Sequence, residues 1–269
     1  MILYDPSQKE SYLEFGIEIP VSQNKKARIF RYLMSHKDLA DREREWHIEH
    51  IDARISKADP VHVHSPEYVE RLFSERLEEE IIRTYELIDS SGRYHRYNPA
   101  RAKLPLRSLL DRILNRVAGT YQCCKVALDE GFCFYFGGGM HHAQRKFGNG
   151  FCLINDVAIA IRRLQAEKHI KTAWVIDVDV HKGDGTAALT EGDASVKTLS
   201  IHMGRGWPLD SERYDIDGQL NPSFIPSDID IPMEAGEESI YLDRLVDGLQ
   251  DMATTLKPDL AVVLLGADP

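Results

Sequence analysis

No apolar run in this 269-residue sequence approaches the ~20 residues that a membrane-spanning helix needs, so a hydrophobic spanning segment is excluded. The opening residues, MILYDPSQKE, contain no basic stretch followed by an apolar core, so nothing marks the chain for secretion and a cytoplasmic location is expected. Excess positive charge is missing too. A net charge of -10 disfavours sequence-independent binding of nucleic acid, whose affinity comes from clustered Lys and Arg neutralising phosphates. The four cysteines, Cys123, Cys124, Cys133 and Cys152, show no CxxC spacing. They fall mostly within apolar patterns, which fits reduced, buried thiols and argues against a structural zinc site made from them. No break in composition divides the chain, so a single domain over residues 1–269 is expected.

What is present is concentrated in two stretches, TAWVIDVDVHKGDG at residues 172–185 and GGGMHH at residues 137–142. Residues 173–178 form a β-branched and aromatic run with apolar residues on both faces, which reads as a central strand of a covered parallel sheet. Asp177, Asp179 and His181 follow at i, i+2 and i+4, and a period of two sends all three to one side. Buried carboxylates on an apolar strand cost several kcal/mol unless paired or metal-bound, so the cluster calls for a cation. The competing reading is a buried polar network, or a helix cap at the strand end.

Around these stretches the pattern alternates. Strands are expected at residues 2–4, 132–136, 196–202 and 260–265. Helices are expected at 25–35, from the Ser65-Pro66-Glu67 start, at 109–130 with Gly131 as the stop, after a cap at Asn155 or Asp156, and at 238–256 before Pro258. The charge-rich segment 38–57 reads as solvated helix faces or a mobile surface stretch, without chemistry. His62 and His64, just before a helix, read as surface or hydrogen-bonded residues in preference to ligands. Residues 75–105 are polar, and the loop SSGRYHRYNP is placed to rim a pocket with Tyr94, His95 and Tyr97. Repeated βα alternation predicts an open, mostly parallel sheet with helices on both faces, three layers in all, and a site at the carboxyl ends of its strands. Both motif stretches and the final GAD fall at such ends.

Gly137, Gly138 and Gly139 let the backbone approach a ligand, and the Lys and Ser/Thr of a phosphate-binding P-loop are absent. Asp179 and His181 supply two candidate metal ligands and Asp268 a third, which leaves a tetrahedral metal one open position, as in a catalytic zinc site. Two carboxylates and an imidazole also suit Fe(II) or Co(II). Hydrolysing an amide then needs a base for water and an acid for the leaving nitrogen, a task for His141 and His142. A carboxylate behind each imidazole would set its tautomer, and we pair His141 with Asp177 and His142 with Asp184. Without the Asp-rich strand, a lone His-His pair would read as an ordinary turn feature.

The ordered series GGGMHHA, GNGFCLINDVAIA, VIDVDVHKGDGT, LSIH and LLGADP, within residues 61–269, resembles the histone deacetylase superfamily in its broad sense, with its bacterial, acetylpolyamine and acetoin-utilisation-type relatives. The resemblance implies an arginase/deacetylase-like fold, zinc-dependent deacylation of an acylated lysine peptide or acetylpolyamine, and ligand roles for Asp179, His181 and Asp268. It also implies a structural potassium near Asp177, Asp179, His181 and Ser200. Phe151 is implied as one wall of an acyl-lysine-sized channel, with Gly150 beside it and Trp207 in the region of the opposing wall. Two departures stand out. Lys182 replaces a second His that many relatives carry after the ligand. The family also continues past GADP to a Gly-rich loop with a carbonyl-polarising tyrosine, a context that none of the 11 tyrosines here occupies. The expected fold therefore lacks its C-terminal part, either as a fragment or as a shortened member, and the tyrosine is expected beyond Pro269. Two other functions compete: a non-catalytic, metal-bound module that recognises acyl-lysine, and arginase-like binuclear manganese hydrolysis, which needs more Asp and His ligands.

Overall fold

The structure, a computed structural model, describes residues 1–8, 11–19 and 25–266. Its strands are β1 (Ile2–Leu3), β2 (His47–Ile48), β3 (Phe134–Tyr135), β4 (Ala173–Asp177), β5 (Val196–Met203), β6 (Ile229–Met233) and β7 (Leu260–Leu264). Between them run α1 (Lys25–Met34), α2 (Lys37–Ala40), α3 (Glu43–Trp46), α4 (Pro66–Leu72), α5 (Leu77–Thr84), α6 (Leu109–Glu130), α7 (Asp156–Ala166), α8 (Asp184–Thr190) and α9 (Tyr241–Thr255). All pairings between the strands are parallel. Those of the described residues fall into two sheets, ordered β2-β1-β3 and β6-β5-β4-β7.

A parallel sheet must be covered on both faces, and the alternation along β4 shows how. Ala173 and Val175 are buried with Val157, Ala160, Ile161 and Leu164 of α7 and with Tyr121 and Cys124 of α6. On the other face, Trp174 and Ile176 pack with Leu199, Ile201 and Ile231, beneath Leu245, Leu249 and Met252 of α9. Gly248 permits that close approach, since a Cβ there would sit 2.7 Å from Ile231 Cδ1. The expected α/β layering, with helices on both faces of parallel strands, is the observed one. Among the described residues no helix is long and apolar enough to cross a membrane.

Helix starts follow the local chemistry. The Ser65 side chain accepts the Tyr68 N–H ahead of Pro66, and Asn155 accepts the Ala158 N–H, which fixes the first turns of α4 and α7. Gly131, at φ 80°, ends α6. Elsewhere the outcome differs from expectation. The strand at 132–136 shrinks to Phe134–Tyr135, with Phe132 exposed. Segment 38–57 contains β2, which pairs with β1, as well as two short helices. The polar stretch after residue 75 folds α5, because Leu77 and Ile81 are buried and the buried Glu80 pairs with Arg71 and Arg83. β6 escapes notice in the sequence because Pro232 interrupts it, and the sheet tolerates this proline in a strand that lies at its edge.

Candidate active site

β4 ends at Asp177, so Asp179 and His181 stand on a loop and not on the strand itself. Asp177 Oδ1 accepts the Asp179 N–H at 3.1 Å, and Asp179 Oδ1 accepts the His181 N–H at 2.8 Å. Each carboxylate therefore folds the two residues after it, and the loop coils in place of extending. The register Asp177↔Ser200 sets Ser200 beside Asp177, and Ser200 Oγ accepts the Gly183 N–H at 3.4 Å. The chain then enters α8 at Asp184. A Cβ on Gly183 would strike the Asp177 carboxylate, and one on Gly185 would lie 2.5 Å from the Ala143 carbonyl oxygen. These two glycines let the loop pass directly against the His141-His142 segment, where the Thr186 N–H also reaches the His141 carbonyl at 3.0 Å.

The glycine loop after β3 is held by one fully buried side chain, Asp156. Its carboxylate accepts the Gly139 and Met140 N–H groups at 3.0 and 2.6 Å and the Thr120 hydroxyl at 2.6 Å. Gly138, at φ 73°, has no room for a Cβ between Asp156 and Thr120. This anchor delivers the two histidines side by side, with ring centroids 3.9 Å apart. His141 Nδ1 lies 2.6 Å from Asp177 Oδ2, and His142 Nδ1 lies 2.7 Å from Asp184 Oδ1. The second oxygen of Asp184 accepts from Ser223 at 2.6 Å, Gln144 at 2.8 Å and Asn149 at 3.3 Å.

The two rings titrate apart. Burial disfavours the charged form of both. At His141 it is outweighed by Asp177, through charge and hydrogen bond, and by Asp179 and Asp184, which hold the pKa at about 9. At His142 burial and the neighbouring His141 charge prevail over Asp184 and push the pKa down to about 4. Asp179 is buried, which alone would raise its pKa, yet the His181 side chain and His141 bring it to about 2.

His141, His142, Asp179, His181, Gly150, Phe151 and Trp207 line one cavity of about 710 Å³. The Trp207 ring stands edge-on to His142 at 4.4 Å and to His181 at 5.5 Å. A Cβ on Gly150 would strike Trp207 and approach His142 Cδ2 to 2.8 Å, so glycine keeps this wall open. Phe151 sits at φ 61°, with Tyr85 stacked against it at 6.1 Å and the Arg96 guanidinium 5.3 Å from its centroid. The loop at 90–99 does reach the cavity, but through Arg96, paired with Glu86; Tyr94, His95 and Tyr97 do not line it. His64 is hydrogen-bonded in the interior, with Nδ1 at 2.8 Å from the Gln144 carbonyl and Nε2 accepting the Asn155 N–H at 3.0 Å. Lys182 is buried and turns towards Asp230, 3.5 Å away.

Asp156, Gln144, Ser223 and Arg96 were not singled out in the sequence. Asp156 alone left a trace, as a candidate cap of α7, whereas its hold on the glycine loop depends on a contact 16 residues back along the chain. For a metal, the fit is that of the donor set. Asp179, held ionised, and His181 face the cavity together, and a Cβ on Gly266, at the end of β7, would fall on the Asp179 carboxylate. Among the described residues no group of three or more His, Cys, Asp or Glu is arranged to hold a metal ion, and Asp268 lies outside them.

A family model described as Histone deacetylase domain matches residues 19–269. The chain is 25% identical over 267 residues to Histone deacetylase 2 of Arabidopsis thaliana, covering 99% of this chain and 63% of that protein. It is 34% identical over 160 residues to an uncharacterized protein of Picosynechococcus, covering 60% of this chain and 49% of the relative. It is 32% identical over 136 residues to the acetoin utilization protein AcuC of Staphylococcus aureus, covering 50% of this chain and 34% of AcuC. The chain thus spans less than two thirds of the length of these relatives, while the family match runs through both motif stretches and the whole larger sheet. On that match, the chain belongs to the histone deacetylase family.

Proposed function

We propose that this chain is the catalytic part of a metal-dependent deacylase, hydrolysing acetyl or a related acyl group from the amine of a lysine side chain or a polyamine. The observation that supports it best is the pair of buried histidines, each engaged at Nδ1 by its own carboxylate, on the wall that also carries Asp179 and His181. With Nδ1 occupied in this way, Nε2 of each ring is left for the reaction. At neutral pH His142, with its pKa near 4, offers an unprotonated Nε2 to take the proton of the attacking water. His141, with its pKa near 9, holds a proton for the leaving amine nitrogen. Asp184 keeps neutral His142 in the Nδ1–H tautomer, and Asp177 accepts the Nδ1–H of protonated His141.

Asp179, His181 and Asp268 would hold zinc, or Fe(II) or Co(II) in its place, and the chemistry such an ion supplies when bound is Lewis acidity toward the amide carbonyl and the water. A potassium ion against Asp177, Asp179, His181 and Ser200 belongs to the same reading, and would balance the two carboxylates there. Gly150, Phe151 and Trp207 form the entrance, whose aromatic walls suit the methylene chain of an acylated primary amine and exclude bulk water.

The test is release of acetate from acetyl-lysine peptides and acetylpolyamines by the zinc-loaded chain, run beside the longest version its gene encodes. Turnover that disappears in His142→Ala is the expected result. Zinc and acyl-lysine bound by both versions with no turnover in either would favour a recognition module over an enzyme.

A further inference from the structure

Two of the four cysteines lie outside the chemistry above and touch each other. Cys123 is on α6, and Cys133 stands one residue before β3. Both are half-buried, in the small cluster that Leu3, Ile51 and Ala118 form under the three-stranded sheet. The Cys123 S–H donates to the Cys133 carbonyl oxygen, with Sγ 3.3 Å from it. The chain between them turns back at Gly131, in the left-handed conformation, which brings the two thiols together across the helix end. Both line the cavity that holds His141 and His142, so a small solute in that cavity reaches them.

We propose that Cys123 and Cys133 form an oxidisable dithiol that a peroxide closes into an intrachain disulfide between α6 and β3. The Cys133 thiolate attacks one oxygen of hydrogen peroxide, forming an S–O bond as the O–O bond breaks and hydroxide leaves. The Cys123 sulfur then attacks the sulfenic sulfur, forming the S–S bond as the S–O bond breaks. The two thiol protons and the two departing hydroxides become two waters, and the two electrons lost by the dithiol reduce the peroxide. Roles divide by environment. Contact with the Cys123 thiol lowers the pKa of Cys133, while contact with Cys133 and burial raise that of Cys123. Cys124 and Cys152 also line the cavity but are more buried than Cys123 and Cys133, and burial pushes both thiols up, Cys124 to about 12.

The position gives the bond a consequence. β3 leads through Phe136 into the glycine loop, and the far end of that loop is already tied to α6 through Asp156 and Thr120. A disulfide would tether both ends of the loop to one helix, ahead of His141 and His142. None of this depends on the deacylase reading.

The experiment treats the fully reduced chain with hydrogen peroxide, caps remaining thiols with N-ethylmaleimide and maps the peptides. Oxidation should halve the thiols that N-ethylmaleimide labels, and should link the peptides of Cys123 and Cys133 with the loss of two hydrogens. The link should survive in Cys124→Ser. In Cys123→Ser the reaction should stop at a dimedone-trappable sulfenic acid on Cys133. Full labelling of all four cysteines after treatment, a link made by Cys124 in place of Cys123, or sulfinic acid at Cys133 without any link would each overturn the proposal. Because the link is read on the wild-type chain, misfolding of either variant does not decide the outcome.

Discussion

Asp184 accepts from four side chains, and its loss would be felt in two ways. In Asp184→Asn, the new amide must turn its NH₂ toward at least one of His142, Ser223, Gln144 or Asn149, all of which donate now. The His142 ring would lose the carboxylate charge behind Nδ1 in either amide orientation, and in one of them its acceptor as well. We expect kcat for acetyl-lysine peptides to fall by about 10²-fold or more, with zinc binding retained. Unfolding should also be easier by about 3 kcal/mol, because a buried charge-assisted network is broken on one side. Urea unfolding alongside steady-state kinetics separates the two effects. His64 makes a different prediction. Its Nδ1–H donates to the Gln144 carbonyl while its Nε2 accepts the Asn155 N–H, so a second proton has no place, and burial takes its pKa down to about 4. The unfolded chain, with an ordinary histidine pKa near 6.5, binds more protons between these values, so stability rises with pH through this window. The contribution is fully present above about pH 6.5 and is lost as the pH falls to about 4, a change of roughly 3 kcal/mol. Unfolding free energies at pH 7 and pH 4.5 should differ less in His64→Ala than in the wild type.

The start of α8 is packed against backbone, and that makes Gly185 intolerant. A Cβ there meets the His142 carbonyl carbon and the Ala143 carbonyl oxygen at 2.5 Å and the His141 carbonyl oxygen at 2.7 Å, none of which can swing aside as a side-chain end could. Gly185→Ala must push α8 away from the His141-His142 segment. We expect it to cost about 3 kcal/mol or more and to reduce activity even below its unfolding temperature, since Asp184 moves with the helix. Near-wild-type thermal stability would show that the two segments are less tightly apposed than the structure has them. The same elements show what local patterns can carry. α4, α6 and α7 were legible from caps, periodicity and a terminal glycine. β2 and β6 were not, because two residues of a charged segment, or a run broken by proline, become strand only when a neighbouring strand pairs with them.

Across the molecule as a whole, metal and stability should be linked. Asp179 and His181 follow the carboxyl end of β4, and β7, four residues before Asp268 in the sequence, pairs with β4 in the same sheet. An ion that binds this arrangement and not the unfolded chain stabilises by about 2.7 kcal/mol at a hundredfold excess over Kd. The thermal midpoint should therefore climb with zinc concentration and return on chelation, and the rise should vanish in His181→Ala. Retention of the full rise in Asp268→Ala would remove Asp268 from the ligand set.

Chemistry in this chain is carried by residue type and short spacing, and both are one-dimensional. Hence the two histidines, the three aspartates 177, 179 and 184, and His181 could be named from the sequence, and the structure sets His141, His142, Asp179 and His181 on one cavity with Asp177 and Asp184 hydrogen-bonded to the two histidines. Their partnership is another matter. Asp156 under the glycine loop, Ser223 and Gln144 behind Asp184, and Arg96 over Phe151 are polar residues of unremarkable local context. Each acquires its position only when segments tens of residues apart pack together and a buried carboxylate or ring must find its donors. The coil of residues 178–183 was decided at that level too. In isolation an alternating run favours extension, but here Asp177 and Asp179 turn back onto their own backbone beneath the two histidines.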